Sequence, residues 1–300
     1  MNISEDTFKS WAKGPSPTET AKCENAETAV RKAIDADVGL QDLDIKVFAQ
    51  GSYKSCTNIR QDSDVDICIC CYEGFIAEYP KGKTRDDFGN GPASLKYADF
   101  KEMVERALKS YFGKSGVTRG NKAFDIHENS YRVDADVVPT FEHRRYTGNI
   151  NLDGSDHYLS GVGIRSDSGD LIKNWPRQHF ANGVSRNNET GRRYKRVIRI
   201  LKRLRGKMQD EKIKEAESIA SFLIECLVWN ANLEAFTKPT YADMVRYVIA
   251  DVWNRTRADD SCNEWGEVNE LKYLFRPSQP WIREQVNSFM HAAWNYIGYT

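Results

Sequence analysis

The sequence predicts an α+β fold, with a mixed sheet in the first half and a helical lobe in the second. Three observations carry that prediction. Short β-branched segments with alternating polarity recur between residues 44 and 139, and composition shifts near Leu171. From Arg177 onward helical patterns dominate, broken only by Pro239, Pro277 and Pro280. The division expected is a core over residues 1–170, whose N-terminal helix is free to pack on both lobes, and a helical lobe over residues 171–300. A chain of 300 residues can bury a sizeable core in one large or two modest domains.

The elements follow in order. Pro17 to about Asp35 reads as a helix: Ser16 caps it, Pro17 suits the first helical position, and Glu19 completes a capping box. Asp44–Gln50 and Ser63–Tyr72 read as strands. The Gly-, Pro-, Lys- and Asp-rich stretch from Gly74 to Pro92 reads as a mobile loop. Tyr97–Phe112 is an amphipathic helix stopped by Gly113. Strands follow near Val117–Arg119, Ala123–His127 and Tyr131–Pro139, and Thr147–Asp170 suits a hairpin on the rim. No internal repeat or low-complexity tract is evident.

Composition narrows the function classes. Lys+Arg and Asp+Glu are balanced at 43 each, which argues against a protein that coats nucleic acid, though a local basic cleft is compatible. Of the seven cysteines only Cys68 and Cys71 have CxxC spacing, and on a strand these point to opposite faces. Reduced thiols in a cytoplasmic protein are expected, rather than a disulfide frame or zinc site. The start Met1-Asn2-Ile3-Ser4-Glu5-Asp6 lacks signal-peptide character. No apolar run approaches the ~18 residues that span a bilayer, so no membrane partner is expected.

The chemistry-bearing residues cluster in two strands. Asp64 and Asp66 project from one face of a strand whose other face carries Val65, Ile67 and Ile69. Two carboxylates that close are costly to bury without a divalent cation between them, and hard oxygen donors suit Mg²⁺. Just upstream, Gly51-Ser52 reads as a tight turn that lets backbone N–H groups and a hydroxyl approach a phosphate. A phosphate cradle before a carboxylate pair is the layout of a nucleotidyltransferase. A two-metal site needs a further acid on a neighbouring strand. Asp134 and Asp136 both qualify, and spacing does not choose between them. The stretch from Arg192 to Lys207 holds nine basic residues and no acid. It reads either as a surface helix with snorkelling basic side chains or as one that sets Lys202 against a triphosphate.

Gly51-Ser52-Tyr53 with Asp64-Val65-Asp66 resembles the signature of the DNA polymerase β nucleotidyltransferase superfamily. The runs Gly51–Arg60, Asp62–Asp66, Ala135–Val138, Asn174–Gly183, Arg193–Lys202 and Ser221–Val228 make the chain similar to the bacterial CD-NTases, and within them to the CdnE-type clade. These are relatives of cyclic GMP-AMP synthase that make cyclic oligonucleotide signals in anti-phage defence. The resemblance implies a polymerase-β-like core and a helical lobe with the active site in the cleft between them. It implies Asp64, Asp66 and Asp136 as catalytic metal ligands for Mg²⁺, replaceable by Mn²⁺, and leaves Asp134 a supporting acid. It implies Gly51, Ser52, Lys202 and Ser221 around a donor triphosphate, whereas the residues alone favour a helix cap or buried hydroxyl for Ser221.

At the position of Asn174 the clade associates an amide with reading uracil, since an amide offers both donor and acceptor; a helix cap is the competing reading. The implied substrates are ATP and UTP, with GTP or CTP as alternatives. Two or three of them would join through 3′-hydroxyl attack on the α-phosphate into a ring, cyclic UMP-AMP or a dipyrimidine product. The implied protein is a monomer whose product is read by a separate effector, without stable nucleic-acid binding. The alternatives are an all-purine cyclic dinucleotide synthase, a template-independent RNA or tRNA nucleotidyltransferase guided by Lys81–Arg85, and a non-catalytic module.

Overall fold

The computed structural model describes residues 3–59, 64–257 and 261–299, so Arg60, Asp62 and Ser63 of the quoted motifs lie outside the described residues. In chain order the elements begin with α1 (Glu5–Trp11), α2 (Pro17–Asp35), α3 (Val38–Gln41), β1 (Ile45–Ala49), α4 (Gly51–Lys54) and β2 (Val65–Glu78). Next come α5 (Tyr97–Phe112), β3 (Val117–Arg119), β4 (Phe124–Ile126), β5 (Ala135–Ile150), β6 (Asp156–Arg165) and β7 (Leu171–Asn174). The remainder is helical: α6 (Pro176–Glu189), α7 (Tyr194–Asp210), α8 (Lys214–Glu217), α9 (Ser221–Asn230), α10 (Tyr241–Arg255) and α11 (Arg283–Ile297). Packing divides the chain into a sheet unit, Pro17–Tyr53 with Ser63–Pro176, and a helical unit, Met1–Ser16 with Lys54–Asp62 and Arg177–Thr300. β7 completes the sheet before Pro176 opens α6.

In the sheet unit the strand order is β1-β2-β5-β4-β3, with β6 along the second half of β5 and β7 outside it. Among the described residues only β2 and β5 run parallel, joined by the crossover through α5. The period-2 alternation of β2 sorts its side chains cleanly. Val65, Ile67, Ile69 and Cys71 are buried against α2 and α5 with Val30, Phe100, Val104 and Leu108. Each such side chain contributes about 1.5–3 kcal/mol by leaving water. The opposite face carries Asp66, Cys68 and Cys70, the two thiols packing with Phe48, Tyr72 and Val162. The helices therefore hold one face of the sheet, and the other face is left for the acids.

Two strands outrun their sequence signals. β2 continues through Gly74 to Glu78, so the stretch to Pro92 is not one mobile loop. A Cβ at Gly74 would sit 3.2 Å from both Ala93 and Phe141, so glycine here allows close packing rather than a turn. Beyond the strand, Phe88 packs on Tyr79 and Tyr146, and Asn90 Nδ2 donates to both tyrosine hydroxyls at 3.1 Å. β5 likewise passes Pro139 and runs to Ile150. Proline is tolerated because pairing with β4 ends at Val137 and pairing with β6 begins at Phe141, so its missing N–H faces the change of partner.

The helical unit closes around α7, whose Val197, Ile198, Leu201 and Leu204 are buried among Leu223 and Leu227 of α9, Val245 of α10, and Phe289 of α11. The N-terminal helix belongs here: Phe8 enters this core, and Glu5 accepts from the Tyr241 and Ala242 N–H groups at the start of α10. No helix among the described residues is long and apolar enough to cross a membrane.

Candidate active site

The site in the sheet unit starts at Gly51. Its φ of +63° is left-handed, and a Cβ there would lie 1.9 Å from Asp66 Oδ2. Glycine is required twice over, by the backbone angle and by the approach of the carboxylate. The Gln50 N–H donates to the Asp66 carbonyl at 2.8 Å, stitching the turn to the acid-bearing strand. Ser52 follows on α4 and is half-buried.

Strand register then gathers the acids. Asp66 and Asp136 are direct partners across the parallel β2–β5 pair, and Asp125 of β4 is the direct partner of Asp136 on its other side. Directly opposed residues share a face with Cβ atoms about 4.5–5.5 Å apart. Asp64 lies immediately before β2 and is exposed. Partial burial on the sheet, then the like charges of Asp64, Asp125 and Asp134, hold the Asp136 carboxyl above its ordinary range. Asp134, the competing acid, accepts from the Glu128 N–H at 2.5 Å, while its carbonyl accepts from Val65 N at 3.1 Å. Its carboxylate thus closes the loop between β4 and β5.

Among the described residues no three His, Cys, Asp or Glu side chains stand ready arranged around a metal ion. The donor set nevertheless fits a hard divalent cation: all are carboxylates, Asp66 and Asp136 are in register, and the group is mutually repulsive without one. Asp125 is the acid that sequence reasoning missed. Its strand was visible in the sequence, but its alignment with Asp136 depends on register, which no local pattern reveals.

In the helical unit Lys202 is 2 % exposed, and its ammonium lies 2.5 Å from Glu225 Oε1 and 3.2 Å from the Thr57 carbonyl. The Thr57 hydroxyl donates to the same carboxylate oxygen at 2.7 Å, and His179 Nε2 lies 3.2 Å from the other. Burial pushes the Glu225 carboxyl up, but Lys202, and after it His179, override this and hold it down at about 2. The Lys202 ammonium, expected against a triphosphate, here has a carboxylate partner. What the cluster grips is the segment after α4, whose Ser55, Thr57 and Asn58 are all buried. Arg199 adds to the grip, donating to the carbonyls of Cys56 at 2.6 Å and Ala12 at 2.8 Å.

Ser221 is exposed at the first position of α9, where Ala220 occupies the cap, so its hydroxyl is neither a cap nor buried. Asn174 ends β7, paired with Val162, and Trp175 rather than Asn174 directly precedes α6. Its backbone is held firmly. A Cβ on Gly161 would meet the Asn174 carbonyl at 2.5 Å, and Trp175 is fully buried with the Arg145 guanidinium 4.1 Å over its ring.

Residues 181–298 match the family model of the cGAS/DncV-like nucleotidyltransferase C-terminal helical domain. The chain is 44 % identical over 294 residues to the cyclic dipyrimidine nucleotide synthase CdnE of Cecembia lonarensis, covering 98 % of each. The CdnE c-UMP-AMP synthase of Rhodothermus marinus, solved with Apcpp and Upnpp, superposes with a TM-score of 0.84 at 29 % identity, covering 99 % of this chain and 98 % of that one. The CdnE cyclic dinucleotide synthase of Elizabethkingia meningoseptica, solved with GTP and Apcpp, gives 0.80 at 34 % identity, covering 99 % and 100 %.

Proposed function

The chain belongs to the CdnE-type cGAS/DncV-like nucleotidyltransferases, and from that membership we propose that it joins nucleoside triphosphates into a cyclic oligonucleotide containing pyrimidine. The observation that carries the reading is the in-register pair Asp66–Asp136 beside the Gly51–Ser52 turn. The dipyrimidine activity named for the relative at 44 % identity supports the choice of bases.

Asp64, Asp66 and Asp136 are proposed to hold Mg²⁺, or Mn²⁺ in its place. The bound cation supplies charge neutralisation at the phosphates and a more acidic attacking hydroxyl. The residues themselves do the positioning. Gly51 leaves room for the Asp66 carboxylate and Ser52 offers its hydroxyl to phosphate; Ser221, exposed at the start of α9, is a second hydroxyl assigned to phosphate. Lys202, held by Glu225, fixes Thr57 and the segment that follows Ser52 in sequence. Asn174, fixed by its backbone, presents an amide for a pyrimidine edge. In the reaction the acceptor 3′-hydroxyl forms a bond to the donor α-phosphorus, pyrophosphate leaves with the bonding pair, and the hydroxyl proton passes to solvent. A second such transfer closes the ring. The product is read by a separate cyclic-nucleotide sensor, and a cytoplasmic setting suits both the substrates and seven free thiols.

The test is incubation with individually labelled NTPs and Mg²⁺ or Mn²⁺, without polymer, followed by mass spectrometry of phosphatase-resistant products. Cyclic products containing uridine or cytidine support the proposal, and they should vanish with EDTA. Extension only when RNA is added would replace it with a polymerase, all-purine rings would correct the base assignment, and no turnover under any condition would overturn it.

A further inference from the structure

Asn174 sits between two residues that are gripped from the back of the sheet. Its direct partner across β6 and β7 is Val162, which packs with Cys68 and Cys70 on the face that carries Asp66. Directly opposed residues share a face, so Asn174 takes the acid-bearing face while its neighbours in sequence turn to the other. There Lys173 and Trp175 meet one charged cluster. The Glu78 carboxylate, at the last position of β2, accepts from the Lys173 ammonium at 3.0 Å and lies 3.3 Å from Arg145 Nε. The Arg145 guanidinium in turn covers the Trp175 ring at 4.1 Å. His143, 0 % exposed, completes the group. Its Nε2 lies 3.5 Å from the Glu78 carboxylate, its Nδ1 2.8 Å from the Ile76 carbonyl, and its ring meets Trp175 edge-on at 5.2 Å.

Two glycines of β6 make this crossing possible. Lys173 is the partner of Gly163, and His143 that of Gly161. A Cβ on Gly161 would lie 2.9 Å from the Trp175 ring, and one on Gly163 2.6 Å from Ile76. With no side chain in the way, a carboxylate on β2 reaches past β5 and β6 to a lysine on β7. β7 is otherwise weakly held: it is four residues long and, among the described residues, paired with β6 alone. Segments held by so few bonds open locally at little cost. Burial favours a neutral Glu78, but the Lys173 hydrogen bond and the Arg145 charge override it and keep the carboxyl below its ordinary range. Glu78, Lys173 and Arg145 are all partly exposed, so their ion pairs add little to global stability. What they set is the position of the two residues that flank Asn174.

Resting on the proposed reading of a pyrimidine by Asn174, we infer that Glu78 is a positioning residue for base selection. Directly through Lys173, and by way of Arg145 through Trp175, it holds the backbone of residues 173–175 so that the Asn174 amide meets a base in one orientation. An amide discriminates only when its donor and acceptor are both aligned, so loss of the tether costs selectivity before it costs turnover.

The experiment uses the full chain and three readouts: product composition from an equimolar NTP mixture by mass spectrometry, KM and kcat for each NTP, and hydrogen–deuterium exchange in peptides covering residues 171–175. Glu78→Gln keeps the shape and removes the charge. It should lower the pyrimidine share of the product about 3- to 10-fold and raise the pyrimidine NTP KM by a similar factor, with kcat changed much less. Exchange over residues 171–175 should quicken, and Lys173→Met should reproduce both changes. In an Asn174→Ser background, Glu78→Gln should leave the product ratio where Asn174→Ser put it, because the tether then has no amide to orient. A wild-type product ratio with wild-type exchange in Glu78→Gln, or an equal further fall in the Asn174→Ser background, overturns the inference. The two readings fail separately. If Asn174→Ser shifts the ratio and Glu78→Gln does not, the tether falls and base reading by Asn174 stands. If Asn174→Ser leaves the ratio unaltered, base reading falls, and with it the selective role of Glu78.

Discussion

Replacing Gly51 by alanine should silence the enzyme while leaving its fold largely intact. Left-handed backbone costs an L-residue about 1–2 kcal/mol. Set against a typical stability of about 5–15 kcal/mol, that strain lowers the melting temperature by only a few degrees. The larger effect is steric. The new Cβ would sit 1.9 Å from Asp66 Oδ2, where non-bonded heavy atoms prefer about 3.5 Å. Either the turn or the carboxylate must retreat by about 1.5 Å. A misplacement of about 1 Å at a reacting centre can cost 10²-fold in rate, or about 3 kcal/mol of barrier. Displacement of the acid therefore outweighs strain in the fold. The assay pairs initial rates of cyclic product formation from labelled NTPs with a melting curve of the same preparation. A loss of about 10²-fold or more in kcat, with the protein still folded, is expected, and Asp66→Ala should lose activity comparably. Gly51→Ala turning over within about threefold of wild type would refute the reasoning, since the Cβ could then be housed without disturbing Asp66.

Further outcomes follow from the two units. Glu225→Ala strands a buried Lys202 without its carboxylate and should cost about 3–5 kcal/mol in urea unfolding, much of it recovered by adding Lys202→Met. Because the folded Glu225 carboxyl is held at about 2 against an ordinary 4.5, its stabilisation is fully present above pH 4.5 and is lost as pH falls toward 2. Glu225→Gln should flatten that acid limb of a stability-versus-pH curve; an unchanged limb would assign it to other carboxylates. Asn174→Ser should lower the share of uridine in the products by about tenfold, the worth of roughly one hydrogen bond, as read by mass spectrometry of an equimolar NTP mixture. An unaltered product ratio would remove Asn174 from base selection.

Much of the fold was legible in the sequence. The α2 helix begins at Pro17 and α5 stops before Gly113, as those two residues dictate, and the alternation in β2 foretold which face would be buried. These are local signals. The extensions of β2 through Gly74 and β5 through Pro139 were not legible, because a glycine or proline is tolerated only once a partner strand is in place. The same limit applied to the site. Gly51, Asp64 and Asp66 announce themselves by spacing, whereas Asp125 joins them only through strand register. Lys202 was drawn toward a phosphate by the charge of its helix, yet its carboxylate partner lies 23 residues away in sequence.

The amino-acid order by itself determined where most helices and the acid-bearing strands begin, and the family resemblance, since periodicity and motif spacing act over a few residues. Only the tertiary structure decided which charges are matched. A carboxylate two helical turns away and one on another helix look alike in a sequence, but burial makes the first irrelevant and the second indispensable. That is why the buried Lys202 is found against Glu225 of another helix.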